Sequence, residues 1–182
     1  LLKLSDQLDR FVNDSSKEVA FVQGPEGCGK TSFMVLWVSI HAQLHQKSVV
    51  YINLGADVCD VWKVKPNGVR YAKRVLRDEA ASAMKDVKDS YEIVLVDGYV
   101  DDDSCDNVSR DVCEAVKDLA SKVIVVTSWN VPLERIPQRF VCFHVDSWQL
   151  DDYIVILNYF RIEGKIQCHL SLKISSISNI CW

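Results

Sequence analysis

Residues 24–31 read Gly-Pro-Glu-Gly-Cys-Gly-Lys-Thr, a complete G-x-x-x-x-G-K-[ST] pattern. Few short segments constrain a fold as tightly. The glycines let backbone N–H groups turn inward around phosphate oxygens, and the helix that follows adds its positive end. Such a loop needs a strand entering it and a helix leaving it, and both are present. Residues 18–23 form a short apolar run that reads as a strand, and residues 31–46 carry a helical pattern. In this setting Lys30 can reach the β- and γ-phosphates of a nucleotide and the Thr31 hydroxyl can hold Mg²⁺. Gly24, Pro25, Glu26, Gly27, Cys28, Gly29 and Ser32 complete the candidate binding loop.

The rest of the chain alternates in the same way. Residues 1–12 place Leu4, Leu8, Phe11 and Val12 at helical spacing. The helix after the loop is expected to bury Phe33, Leu36, Trp37, Ile40 and Leu44. Residues 48–54 are β-branched and read as a second strand. Residues 55–68 look irregular, with a Pro66-Asn67-Gly68 turn signal. Residues 69–87 read as a helix lined by Ala72, Leu76, Ala80, Ala83 and Val87. A third strand over 91–96 ends at Asp97, a helix covers 106–121, and apolar runs at 122–127 and 140–145 are the last two strands. Residues 149–160 read as a helix capped by Asp146 or Ser147. Strands that are continuously apolar, each followed by a helix, predict an α/β fold: a parallel sheet of about five strands with helices on both faces. One domain is expected over residues 1–163. Residues 164–182 are rich in Ser and Ile and form a tail outside that pattern. The chain opens Leu-Leu-Lys-Leu without Met and reads as part of a longer protein.

Composition excludes little. The net charge of −4 does not mark the whole chain as a polyanion binder. No apolar run is long enough to span a bilayer, so no membrane is expected as a partner. The seven cysteines include no C-x-x-C pair and are odd in number, which reads as reduced thiols in an intracellular chain. Cys28 stands apart, inside the loop and near a helix N-terminus, where a thiolate is favoured. Its alternative reading is structural.

The second chemical element is Asp97, closing Glu92-Ile93-Val94-Leu95-Val96-Asp97. A carboxylate at the carboxyl end of a buried strand can hold Mg²⁺ opposite the loop threonine. Many nucleotide-hydrolysing chains carry Glu at the next position to activate water. Here it is Gly98, with Asp101, Asp102 and Asp103 nearby as substitutes or as a solvated loop. Thr127, Ser128 and Asn130 end the fourth strand, where ligands of parallel sheets lie; Ser128 is a candidate catalytic residue. Arg135 and Arg139 follow, and either could reach phosphate as an arginine finger or stand as a surface arginine; Arg139 is the candidate catalytic residue. Arg70, Lys73, Arg74 and Arg77 are expected to share a helix face, a weak pointer to nucleic acid beside the reading as a solvated face. His41 and His45 have the i, i+4 spacing of metal ligands, but nothing completes a set and they read as surface residues.

The loop, Leu95-Val96-Asp97-Gly98, Val125-Val126-Thr127-Ser128 and the segment His144-Val145-Asp146-Ser147-Trp148-Gln149-Leu150-Asp151-Asp152-Tyr153 follow one another in an order that resembles the P-loop NTPase domain of Crinkler-type effectors and of retrotransposon hot spot proteins. The resemblance covers about residues 18–157. It implies ATP and Mg²⁺ as ligands, a flanking effector domain as partner, and secretion into a host cell and its nucleus. The residues and the resemblance together predict an ATP-binding, slowly ATP-hydrolysing regulatory module of the additional-strand (AAA+ or STAND-like) class. The alternatives are a small-molecule kinase, which would need an Arg-rich lid, and a nucleotide-binding scaffold domain without turnover. A GTPase would want an Asn-Lys-x-Asp segment, which residues 127–130 do not supply.

Overall fold

The computed structural model describes residues 2–85, 91–99, 108–117, 119–128 and 140–145. All of them lie in one compact unit, Leu2–Trp148. The expected helix at 149–160 and the tail at 164–182 lie outside the described residues.

Helix α1 (Leu2–Asn13) buries Leu4, Leu8 and Phe11 and exposes Lys3, Asp6, Asp9 and Arg10, the alternation its spacing predicts. Strand β1 (Val19–Gln23) is buried along its whole length and leads into the glycine-rich loop. Helix α2 (Lys30–His45) leaves that loop and ends where Gln46 turns left-handed, at φ 54, and gives its N–H to Ala42 O. Its buried side differs from the expected one. Phe33, Trp37 and Ile40 are buried as expected, but Met34, Val38, His41 and Ala42 are buried too, Leu36 is half-buried and Leu44 is 42% exposed.

Strands β2 (Val49–Leu54), β5 (Tyr91–Tyr99), β6 (Ala120–Thr127) and β7 (Phe140–His144) are the other expected parallel strands. Helices α3 (Ala80–Lys85) and α4 (Val108–Val116) connect them. Among the described residues the sheet has seven strands in the order β4-β3-β2-β5-β6-β1-β7. Two of them were not expected: β3 (Val58–Lys65) and β4 (Gly68–Leu76) form an antiparallel hairpin on the β2 edge.

This hairpin corrects two readings. Residues 55–68 are mostly strand rather than irregular, and residues 68–76 are strand rather than helix. Among the described residues of the stretch read as one long helix, only Arg77–Glu79, a 3-10 turn, and α3 are helical. The physical reason is local. The Pro66-Asn67-Gly68 turn folds β4 back along β3, and the ladder of Val58↔Leu76 to Lys65↔Gly68 satisfies the backbone that a helix would otherwise satisfy internally. The supposed basic helix face therefore does not exist. Arg74 forks onto Asp60 at 2.7 and 2.9 Å, Lys73 reaches Ala83 O at 2.6 Å, and Arg77 sits beyond the strand. The fourth helix also stops earlier than expected, because β6 already begins at Ala120.

The sheet is covered on both faces. One face packs Phe21, Val50, Ile52, Val94, Val96, Val123 and Val125 against Ala80, Met84, Val112 and Val116 of α3 and α4. Strand alternation sends Ile93, Leu95 and Asp97 to the opposite face, where α2 lies. No helix among the described residues is long and apolar enough to cross a membrane.

Candidate functional site

The carboxyl ends of the five parallel strands bring one polar residue each to a common edge. In register these are Asn53 beside Asp97, Gln23 beside Thr127, and His144 beside Gln23. The residues preceding them are almost all apolar. A polar fringe above an apolar sheet is where open α/β sheets bind ligands, and the glycine-rich loop opens at this edge.

Lys30 is the first residue of α2 and is buried. Its Nζ donates to Gly24 O at 2.9 Å and Pro25 O at 2.6 Å, and lies 3.6 Å from the Cys28 sulfur. The ammonium is thus held by carbonyls of its own loop. Gly29 caps α2 at φ 84, ψ 13, and its carbonyl accepts from Phe33 N–H at 3.1 Å. Gly24 is glycine for lack of room: a Cβ there would stand 2.2 Å from Val145 O. Val145 N–H in turn donates to Gln23 O at 2.8 Å, so the end of β7 fixes the entry of the loop. Glu26 and Gly27 form the exposed turn of the loop, while Cys28 is buried and free. Thr31 and Ser32 are half-buried in the first turn of α2.

Thr31, at the start of α2, stands beside Asp97, close enough for its side chain to pull the carboxyl's pKa down. Asp97 Oδ1 accepts from Gly98 N–H at 2.9 Å and its Oδ2 from the Tyr51 hydroxyl at 3.2 Å. Burial pushes its pKa up, against Thr31, the hydrogen bonds from Gly98 and Tyr51 and the charge of Lys30, which pull it down. A hydroxyl and a buried carboxylate side by side are hard oxygen donors, and a buried carboxylate gains from a neighbouring cation. By donor type the pair could hold a hard divalent cation such as Mg²⁺. Among the described residues no group of three or more His, Cys, Asp or Glu converges as a metal site.

Strand β5 does not end at Asp97 but runs on to Tyr99, with a bulge. Asp97 pairs with Val126 and Tyr99 with Thr127, leaving Gly98 as the extra residue at φ 80. A Cβ on Gly98 would lie 2.4 Å from Leu54 O. The position at which many nucleotide-hydrolysing chains carry Glu is therefore closed to any side chain. Thr127 is spent on the same bulge, donating to Tyr99 O at 2.9 Å. Ser128 follows β6 and is exposed. Asn130, Arg135, Arg139 and Asp101–103 lie outside the described residues.

Three neighbours of the site had no motif to reveal them. Tyr51 looks like any aromatic in a β-branched run. Gln23 is fully buried at the end of β1, its amide 3.2–3.3 Å from the His144 ring; a lone Gln closing an apolar run was the one available signal. Arg77 donates to the carbonyls of Leu54 and Gly55 and to Ser109 Oγ, tying the end of β2 to α4. His41, expected on the surface, is buried at the far end of α2, with Nε2 3.0 Å from Glu92. Its ring stacks on Trp37 and lies 4.4 Å from that of His45.

No protein-family model matches the chain, and no curated protein is significantly similar to it. Among solved structures, one similar chain is a Bacteroides thetaiotaomicron protein with actin-like ATPase fold and unknown function, at 10% identity and TM-score 0.37, covering 52% of this chain and 38% of that one. Another is Pelota from Archaeoglobus fulgidus, at 13% identity and TM-score 0.29, covering 82% and 42%. The chain thus spans less than half the length of either. Neither TM-score reaches the level of a shared fold, so neither structure bears on the function of this chain.

Proposed function

We propose that this chain is a nucleoside-triphosphate-binding module, with ATP and Mg²⁺ as its ligands, of the additional-strand class of P-loop NTPases. The observation that carries the reading is the nearness of Thr31 and Asp97 at a complete phosphate-binding loop. The strand order supports the class: β6 lies between β1, which feeds the loop, and β5, which carries Asp97. Lys30 and the loop backbone would hold the phosphates, and Thr31 and Asp97 the cation. Bound Mg²⁺ would neutralise phosphate charge. The motif order that resembles Crinkler-type NTPases supports a regulatory role, with nucleotide state controlling a flanking domain.

The reading is tested by calorimetry with Mg·ATP. Lys30→Ala is expected to weaken binding by about 2–3 kcal/mol, the value of a charge-assisted contact. Equal affinity in wild type and variant would overturn it.

Turnover is expected to be slow, and binding without turnover is the second reading. Gly98 favours both, because a carboxylate base at that position is excluded by φ and by Leu54 O. General-base catalysis is typically worth about 10²–10⁴-fold. Steady-state phosphate release well above about 1 s⁻¹ would show that the base stands elsewhere.

A further inference from the structure

We propose that Tyr51 is a positioning residue for the Asp97 carboxylate and, through it, for the divalent cation of a bound nucleoside triphosphate. The inference rests on the nucleotide-binding reading above.

Tyr51 sits in the middle of β2, on the face that carries Asp97. Its register partner on β5 is Leu95, two residues before Asp97. Two residues of parallel strand rise about 6.6 Å. An aromatic side chain ending in a hydroxyl spans that step while packing its ring along the sheet. The hydroxyl arrives at Asp97 Oδ2, 3.2 Å away. Gly98 N–H already holds Oδ1 at 2.9 Å. An Asp carboxylate turns readily about its last torsion, because that torsion is broad and roughly two-fold. One donor on each oxygen, from two different strands, fixes the plane. That plane decides whether a lone pair faces the Thr31 side chain, where a divalent cation would be held. Phenylalanine would supply the same packing without the donor, so the hydroxyl is the part that acts on the site.

The experiment measures ATP affinity by calorimetry, once with Mg²⁺ and once with EDTA. The proteins are wild type, Tyr51→Phe, Asp97→Asn and the double variant. Wild type is expected to bind more tightly with Mg²⁺. Tyr51→Phe should lose about tenfold of that gain, as loss of one hydrogen bond to a charged group implies, and keep its EDTA affinity within about twofold. In the Asp97→Asn background Tyr51→Phe should add nothing, because the two act as one unit. A purely structural role would lower both affinities together, and that result overturns the proposal. A full Mg²⁺ gain in Tyr51→Phe also overturns it and leaves the nucleotide reading standing. If wild type binds no ATP in either buffer, the nucleotide reading falls and this inference falls with it.

Discussion

β5 and β4 are both nine-residue strands of the same sheet, and they carry their side chains in opposite ways. β5 is paired on both edges, by β2 and β6, and seven of its residues are buried. β4 pairs only with β3 among the described strands, and Val69 and Leu76 are 51% and 55% exposed. A central strand is defined by what it buries, an edge strand by what its backbone bonds to. The candidate chemistry stands on the first kind: Asp97 continues the Ile93–Leu95 face and inherits its rigidity.

The largest expected effect tests that contrast directly. Leu95→Ala deletes a fully buried side chain and should cost about 3–4 kcal/mol in urea unfolding. Leu76→Ala removes a largely exposed one and should stay within about 0.5 kcal/mol. Comparable losses would mean that the hairpin is packed as tightly as the centre, and the comparison would break.

Next comes Gly98, where the centre departs from regular strand. Gly98→Ala is expected to cost about 2–3 kcal/mol, from the left-handed backbone and the approach to Leu54 O. Thermal unfolding reads this. Gly98→Glu should lose stability in the same way and gain no turnover. A faster phosphate release in that variant would show that the bulge relaxes to admit a base.

The same contrast decides what the sequence reveals. The parallel strands were legible because burial on both faces leaves continuous runs, such as Ile93–Val96, between recognisable ends. The loop was legible because G-x-x-x-x-G-K-[ST] is a short local pattern that demands a strand before it and a helix after it, and both stand next to it in sequence. The β3–β4 hairpin was not. Ala72, Leu76, Ala80 and Ala83 happen to recur at helical spacing, and the three- and four-residue steps outvoted a turn signal already visible at residues 66–68. Gly98 was legible as a missing base but not as a bulge, since φ and the nearness of Leu54 are tertiary facts. Tyr51 was illegible for a similar reason: which hydroxyl meets Asp97 depends on the register of β2 against β5.

A smaller effect comes from the base of the sheet. Burial pushes the His41 pKa down, opposed by its contact with Glu92. Its Nδ1 is buried and has no hydrogen-bond partner among the described residues, so protonation would create a buried donor worth about 1–3 kcal/mol when unsatisfied. A histidine whose folded pKa is depressed favours the fold above its unfolded pKa of about 6.5. That contribution is lost as pH falls through 6.5 toward the folded value. Unfolding midpoints should therefore drop as pH falls below about 6.5, and less so in His41→Gln. Asp9, near the same ring, is pushed up by partial desolvation, so its protonation favours the fold as pH falls and opposes the His41 effect; Asp9→Asn is the control. A pH profile identical in wild type and variant would remove His41 from the account.

The smallest effect sharpens the view of the edge. Arg74 and Asp60 face each other across β3 and β4 with both guanidinium–carboxylate bonds made. Arg74 is 62% exposed, so solvent screens the pair even though Asp60 is mostly covered. Exposed ion pairs are typically worth about 0.2–1 kcal/mol, and the two-pronged geometry puts this one near the upper end. A double-mutant cycle with Arg74→Ala and Asp60→Ala should return a coupling of about 1 kcal/mol at low salt. Near 1 M salt, where the screening length falls to about 3 Å, most of it should vanish. Arg74→Lys should recover little, because an ammonium cannot match both oxygens at once. ATP affinity should not change in any of these variants. A coupling above about 2 kcal/mol, or one that survives salt, would mean that the edge is specified by side-chain chemistry as strictly as the centre is by burial.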